Sequence, residues 1–244
     1  MHMTEDPLPN DKLTELVRKL GHDMRAPLGS IISTSEMLGE GFYEALTPKQ
    51  VRANDRIQRN GHRVLAMLDD FVTYVKAEAG QLDLFPKAFE PRVCLSDWGS
   101  QVIHTAEKKG LTLHLTTHEQ VPATLTADSA AIGRAIVPLL WNAVSFTHQG
   151  DVWVDSEWSD QTWIIKVRDS GPGMTLEKTP YIFEPFWRGD ERPQVATAGA
   201  GLGLALAQAS ANVLGAHLSL EHTSDKGSTF SFVLPLSPAI EKDF

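Results

Sequence analysis

Cysteine is almost missing from this chain of 244 residues; Cys94 stands alone. One thiol makes no intrachain disulfide, so the fold does not depend on an oxidising compartment and a reducing one is allowed. No run approaches the ~20 consecutive apolar residues that a membrane-spanning helix needs. Met1 to Pro9 is polar and proline-bearing, so no secretory signal is expected there. Met1-His2-Met3 reads as an appended start or as a native one; an appended start would leave room for a sensor or membrane segment upstream. Basic excess is lacking too: 22 Lys and Arg against 31 Asp and Glu give a net charge of −9, which counts against nucleic-acid binding. Internal repeats and low-complexity tracts are not found. What remains is 42% hydrophobic and 22% charged, the make-up of a globular chain with a packed core. The length fits one large domain or two small ones.

Two periodicities divide the chain. From Asn10 to about Leu38, apolar residues recur every three or four positions (Leu13, Leu16, Val17, Leu20, Met24, Leu28, Ile31, Ile32), which predicts a helix. Asn10 or Asp11 caps its start, and Gly39 and Gly41 stop it. Pro27 inside the pattern predicts a kink. Thr47-Pro48 opens a second helix, with Val51, Ile57, Val64, Leu65, Leu68, Phe71, Val72 and Val75 as its stripe. A hairpin packed on the rest of the chain and a dimeric four-helix bundle both satisfy this pattern. Ala77 to Pro86 reads as a linker, and no regular element is assigned between Pro86 and Leu111. Strands are predicted over Leu111–Thr117, Val121–Thr126, Asp151–Trp158, Thr162–Arg168, His217–His222 and Ser228–Pro235. Helices are predicted from the Asp128 cap to Phe146 and over Gly201–Leu214. The expected architecture is an all-α hairpin followed by an α+β sandwich, with helices on one face of a largely antiparallel sheet.

Five segments carry chemistry. His22 lies beside the first stripe, next to Asp23. A lone helical histidine is ordinarily a surface residue, but an adjacent carboxylate orients an imidazole and takes its proton, which makes the other nitrogen nucleophilic. Asp169-Ser170-Gly171-Pro172-Gly173 follows an apolar strand. Its glycines allow a tight turn, and Asp169, expected at the sheet edge, accepts a hydrogen bond from an amino group such as that of adenine. Gly199-Ala200-Gly201-Leu202-Gly203-Leu204 opens a helix, where free backbone N–H groups and the helix dipole favour phosphate. It is no Walker loop, because no Gly-Lys-Ser/Thr follows. Asn142, on an apolar helix, is either a structural amide or an oxygen ligand for Mg²⁺. Phe183 to Arg188 sits in the long irregular stretch from Met174 to Ala198, with Arg188 as a cation for phosphate.

In this order and spacing, from about Asn10 to Pro235, the segments resemble the histidine kinase family in all five of its sequence boxes. The resemblance implies a dimerisation and histidine-phosphotransfer domain (1–80), a linker (81–88), an ATP-binding domain of the gyrase-like (Bergerat) fold (89–238) and a short tail (239–244). It implies His22 as nucleophile, Asp23 as proton acceptor and Asn142 as the Mg²⁺ ligand. Around ATP it implies Asn142, Phe146, His148, Asp169, Gly171, Gly173, Phe183, Arg188, Gly199, Gly201, Leu202, Gly203, Leu204 and Thr229. It implies a homodimer, a receiver domain whose aspartate takes the phosphoryl group, an upstream sensor outside this chain, and a cytoplasmic location, as a free protein or as part of a membrane-bound sensor.

Three departures qualify this. Pro138 replaces the residue four before Asn142, so no carboxylate there activates water, which argues against a plain ATPase. Ser145 replaces a basic residue three after Asn142, so one phosphate contact is either missing or supplied by His148, and weaker nucleotide binding is expected. Ala26 stands four after His22, where many members carry Thr or Asn to orient water, so weak phosphatase activity is expected. The alternatives are a degenerate kinase acting as a regulatory dimerisation module, and a gyrase-like ATPase without phosphohistidine.

Overall fold

The computed structural model describes residues 10–188 and 200–236. The chain divides into two compact units between Gln81 and Leu82.

The first unit is a helical hairpin, α1 (Asn10–Gly39) and α2 (Pro48–Glu78). Its contacts run antiparallel: Gly21 meets Val72, Ile32 meets Gly61, and Ser35 meets Asn54. Glycine lets the helices close here. A Cβ on Gly21 would lie 2.6 Å from Val72 Cγ2, and one on Gly61 would lie 2.7 Å from Ile32 Cγ1. One buried polar lock sets the register. Ser35 Oγ donates to Asn54 Oδ1 at 2.6 Å, and Asn54 Nδ2 donates to the Ser35 carbonyl at 2.7 Å. Both partners are satisfied, which a buried polar pair requires. Arg25 bridges the helices closer to His22, with Nε and Nη2 donating to Asp69 Oδ1 at 2.9 and 2.7 Å. The helix assignment runs through Pro27 without interruption. At the start of α2, the Thr47 N–H and hydroxyl both donate to Gln50 Oε1.

The second unit begins with two elements that periodicity reading passed over, β1 (Lys87–Phe89) and α3 (Pro91–Lys108). They are followed by β2 (Thr112–Thr117), β3 (Leu125–Ala127), α4 (Ser129–Phe146), β4 (Asp151–Ser159), β5 (Thr162–Asp169), a single 3₁₀ turn at Thr179–Tyr181, α5 (Gly203–Val213), β6 (His217–Ser224) and β7 (Gly227–Pro235). The expected strand over Val121–Thr126 is shorter and later, and it does not join the main sheet. It pairs with β1 instead. The main sheet has the order β2-β4-β5-β7-β6, parallel between β2 and β4 and antiparallel elsewhere.

Alternation along β4, β5 and β7 turns Val152, Val154, Trp163, Ile165, Phe230 and Phe232 inward, where all are buried. The helices cover that face, and α4 lies at its centre with Ile132, Ile136 and Leu139 fully buried. By length and composition α4 is apolar enough to cross a bilayer, but more than half of it is buried in this core. The Trp163 indole N–H is satisfied by Ser156 Oγ at 2.8 Å. On the outer face His114 stacks on Trp153, and the Arg168 guanidinium lies 3.9 Å from the Trp153 ring centre.

Asp128 caps α4 as its sequence predicts. Oδ1 accepts the Ala131 N–H at 2.8 Å, and Oδ2 accepts the Phe85 N–H at 2.9 Å. Burial by itself pushes this carboxyl up. The Phe85 and Ala131 donors and the Arg134 charge outweigh it and hold the group below the usual aspartate range.

Candidate active site

In the first unit, α1 presents His22 to solvent, with 82% of its side chain exposed. Its Nδ1 lies 3.3 Å from Asp23 Oδ1, so the neighbouring carboxylate engages one ring nitrogen and leaves Nε2 open. Gly21, directly before His22, is the point where α1 closes on Val72. Ala26 is exposed and brings no polar group to this face.

In the second unit, the turn after β5 is built around Asp169. The expectation of a sheet-edge carboxylate is corrected here, because β5 is the third of five strands and Asp169 ends it 7% exposed. The central position follows from strand pairing that local sequence does not encode. Oδ1 accepts the Gly171 N–H at 2.8 Å and, more distantly, the Ser228 N–H at 3.4 Å. Burial pushes the carboxyl above its usual range, and the two backbone donors oppose this. Ser170 ties the turn to β4: its hydroxyl accepts the Asp151 N–H at 2.9 Å.

Glycines surround this carboxylate at places where a side chain has no room. Gly173 is left-handed (φ +66°), and a Cβ there would strike the Ser224 carbonyl. Gly227 (φ +124°) backs directly onto the Asp169 carbonyl in the same way. A Cβ on Gly171 would come within 3.4 Å of both the Phe146 carbonyl and Thr147 Oγ1, so the turn abuts the end of α4. A Cβ on Gly201 (φ +81°) would come within 2.7 Å of the Trp187 carbonyl oxygen, and the Gly201 carbonyl accepts the Phe186 N–H at 2.9 Å. Gly203, the first residue of α5, faces the Pro138 ring of α4. The departure at position 138 therefore sits against the second glycine segment.

The predicted nucleotide residues distribute as follows. Asn142 and Phe146 lie half-buried in the last two turns of α4, and Leu202 is buried at the start of α5, with Leu204 half-buried beyond it. Phe183 packs edge-to-face on Phe230, and Thr229 is half-buried on β7 opposite Arg168. His148 and Arg188 are exposed, and no contact recorded for them ties either to the Asp169 turn. Gly199 lies outside the described residues. By resemblance, Gly227-Ser228-Thr229-Phe230 corresponds to the last strand of the family's nucleotide site. In the structure Gly227 backs onto the Asp169 carbonyl, and the Ser228 N–H lies 3.4 Å from Asp169 Oδ1.

Among the described residues, no group of three or more His, Cys, Asp or Glu side chains could hold a metal ion. The Asn142 amide has no hydrogen-bond partner among them, so its carbonyl oxygen is available. One protein oxygen suits Mg²⁺, which keeps several waters and takes its remaining ligands from phosphates. The residues therefore fit a nucleotide-borne Mg²⁺ and not a dedicated protein cage.

Comparison with known proteins identifies the two domains and the fold. Residues 12–80 match the His Kinase A (phospho-acceptor) domain, and residues 127–238 match the Histidine kinase-, DNA gyrase B-, and HSP90-like ATPase family. The signal transduction histidine-protein kinase BarA of Escherichia coli is 28% identical over 228 residues, covering 91% of this chain and 24% of that protein. The sensor protein TorS of Escherichia coli is 30% identical over 224 residues, covering 90% of this chain and 24% of that protein. The chain thus spans about a quarter of the length of these curated relatives. Two solved structures share its fold. One is full-length ShkA in complex with AMPPNP, with a TM-score of 0.79 and 24% identity over 92% of this chain and 46% of that one. The other is the histidine kinase AdeS of Acinetobacter baumannii, with a TM-score of 0.63 and 22% identity over 88% of this chain and 98% of that one.

Proposed function

Because this chain belongs to the histidine kinase family, with a phospho-acceptor domain followed by a gyrase-like ATPase domain, we propose that it binds Mg·ATP and moves the γ-phosphoryl group onto His22. The observation that carries this is the exposed His22 imidazole with one nitrogen engaged by Asp23. Nε2 forms a bond to the γ-phosphorus as the bond to the β,γ-bridging oxygen breaks and ADP leaves. The Nδ1 proton is held by, and then passes to, Asp23. Asp169 accepts the adenine amino group. Its Oδ1 is committed to backbone donors, which leaves Oδ2 for the base. Asn142 holds the Mg²⁺, whose charge offsets that of the phosphates. Catalysis of this kind is mostly positioning and charge neutralisation.

The phosphohistidine then donates to an aspartate of a receiver domain, fused or separate. Ala26 leaves no side chain to orient water, so dephosphorylation of that receiver is weak. Homodimerisation completes the first unit: Leu16, Leu20, Ile31 and Ile57 are about half exposed in one copy, and a four-helix bundle covers them. The core works on the cytoplasmic side, with a sensor segment upstream.

Incubation with Mg·ATP labelled on the γ-phosphate tests this. Acid-labile, base-stable label that disappears in His22→Gln supports the kinase. Intact dimers without label would instead support a regulatory module, the reading that Pro138 and the buried, uncharged Ser145 favour. Phosphate release without protein label would mark a plain ATPase.

A further inference from the structure

We propose that Lys109 is a positioning residue for the nucleotide, acting from the end of α3 as a charged cap on the last turn of α4. This rests on the reading of the second unit as an ATP site.

The last carbonyls of any helix lack intrahelical partners, and the helix dipole gathers negative charge there. In α4 the need is acute, because Val144 is fully buried and Ser145 is 7% exposed, so water does not supply the missing donors. Thr147 takes the first carbonyl: its N–H and hydroxyl donate to the Ala143 carbonyl at 3.1 and 2.7 Å. Lys109 takes the next two. Its Nζ donates to the Val144 carbonyl at 2.7 Å and to the Ser145 carbonyl at 2.9 Å.

No basic residue lies in the last turn of α4 itself, so the cation arrives from another element. The reach is built in. Lys109 is the C-cap of α3, with its N–H on the Ala106 carbonyl, and left-handed Gly110 (φ +70°) turns the chain away immediately after it. Lys109 is half-buried and forms no ion pair among the described residues. Desolvation lowers its pKa, as expected for an ammonium whose partners are carbonyls rather than a carboxylate.

The position of this cap gives it a role beyond stability. The turn that it closes carries Asn142 and Phe146 and abuts Gly171. A triphosphate bound near the C-terminal end of a helix meets the unfavourable pole of the dipole. A cation seated on that pole cancels part of the repulsion and keeps the Asn142 amide in place. Lys109 touches no reacting atom; it acts through α4.

The test compares Lys109→Met, Lys109→Gln and Lys109→Arg in the whole chain. Equilibrium Mg·ATP binding is measured by calorimetry, beside thermal unfolding without nucleotide. Methionine keeps the stem without donor or charge, glutamine keeps a donor without charge, and arginine keeps both. The expected order is Met weakest, by about tenfold or more, Gln intermediate, and Arg within about threefold of wild type. At saturating ATP the labelling rate of all three stays within about twofold of wild type, so the effect lies in KM and not in kcat. Loss of thermal stability with wild-type affinity would mean a purely structural cap and would overturn the inference. If Lys109→Met does not fold, equal affinities for the Gln and Arg variants overturn it, and a weaker Gln variant supports it. A wild-type chain that binds no Mg·ATP would overturn the ATP-site reading itself, an outcome separate from normal wild-type binding with unaffected variants.

Discussion

Asp169 Oδ1 accepts the N–H of Gly171, two residues on, at 2.8 Å, and this closes the turn after β5 around a carboxylate that is buried. Burial of this carboxylate makes it pH-sensitive in two opposite ways.

Burial raises the Asp169 pKa above its ordinary value of about 3.9. The adenine amino group donates to the ionised form. ATP affinity therefore falls on acidification, starting at a higher pH than an exposed aspartate would set. Without nucleotide the sign reverses, because the folded state holds the proton more tightly than the unfolded chain does. The contribution of Asp169 to stability is then fully present below the unfolded pKa and is lost as pH rises through the folded one. Asp169→Asn removes both slopes and weakens ATP by about 10- to 100-fold, the worth of a charge-assisted hydrogen bond. Calorimetric titration and thermal melts across acidic and neutral pH check both signs.

Gly173 is left-handed, and a Cβ there meets the Ser224 carbonyl, which is backbone and does not move aside. Gly173→Ala is expected to cost about 1–2 kcal/mol for the conformation alone, and more for the collision. It should lower both the melting temperature and ATP affinity. Gly215 is also left-handed but has open space around it, so Gly215→Ala should lose only the conformational part and leave nucleotide binding intact. Equal effects of the two on ATP affinity would contradict the cradle.

Gly21→Ala places a methyl 2.6 Å from Val72 Cγ2 and so pushes α1 from α2 at the residue before His22. The expected outcome is a destabilised hairpin, by about 1–3 kcal/mol as for overpacking generally, and slower labelling of His22. Val72→Ala opens the space, and the double variant should recover part of the loss. A double-mutant cycle on denaturant midpoints and labelling rates measures the coupling.

Ala26→Thr restores a hydroxyl on the His22 face of α1 without burying it, since position 26 is exposed. The folded stability should change by no more than about 0.5 kcal/mol, as for other surface substitutions. Dephosphorylation of a phosphorylated receiver, measured with ADP present, should accelerate while His22 labelling persists. A wild-type core that already dephosphorylates its receiver rapidly would refute the assignment to Ala26.

Much of the fold was legible because the relevant signals are local. The Leu16–Ile31 stripe marks α1, Thr47-Pro48 starts α2, Asp128 caps α4, and the turns at Ser159–Asp160 and Asp225–Gly227 mark two hairpins. The helix α3 was also written in the sequence. Leu95, Trp98, Val102 and Ala106 repeat at helical spacing after Pro91, and all four are buried. Ser96, Gly99 and Ser100 dilute that stripe, so its period is fainter than that of α1. The pairing of β1 with β3 and the parallel pairing of β2 with β4 join segments far apart in the chain, where periodicity carries no information.

The sequence by itself determined which groups are available: an imidazole beside a carboxylate at 22 and 23, an aspartate before two glycines at 169, an amide at 142, and no charge at 145. Local rules suffice for that, since caps, stripes and turns act over a few residues. Tertiary structure alone decided that Asp169 ends a central strand, that Gly227 returns to its back, and that Lys109 reaches the Val144 and Ser145 carbonyls. Those pairings depend on long-range packing, in which burial removes water and obliges each remaining polar atom to find its partner within the protein.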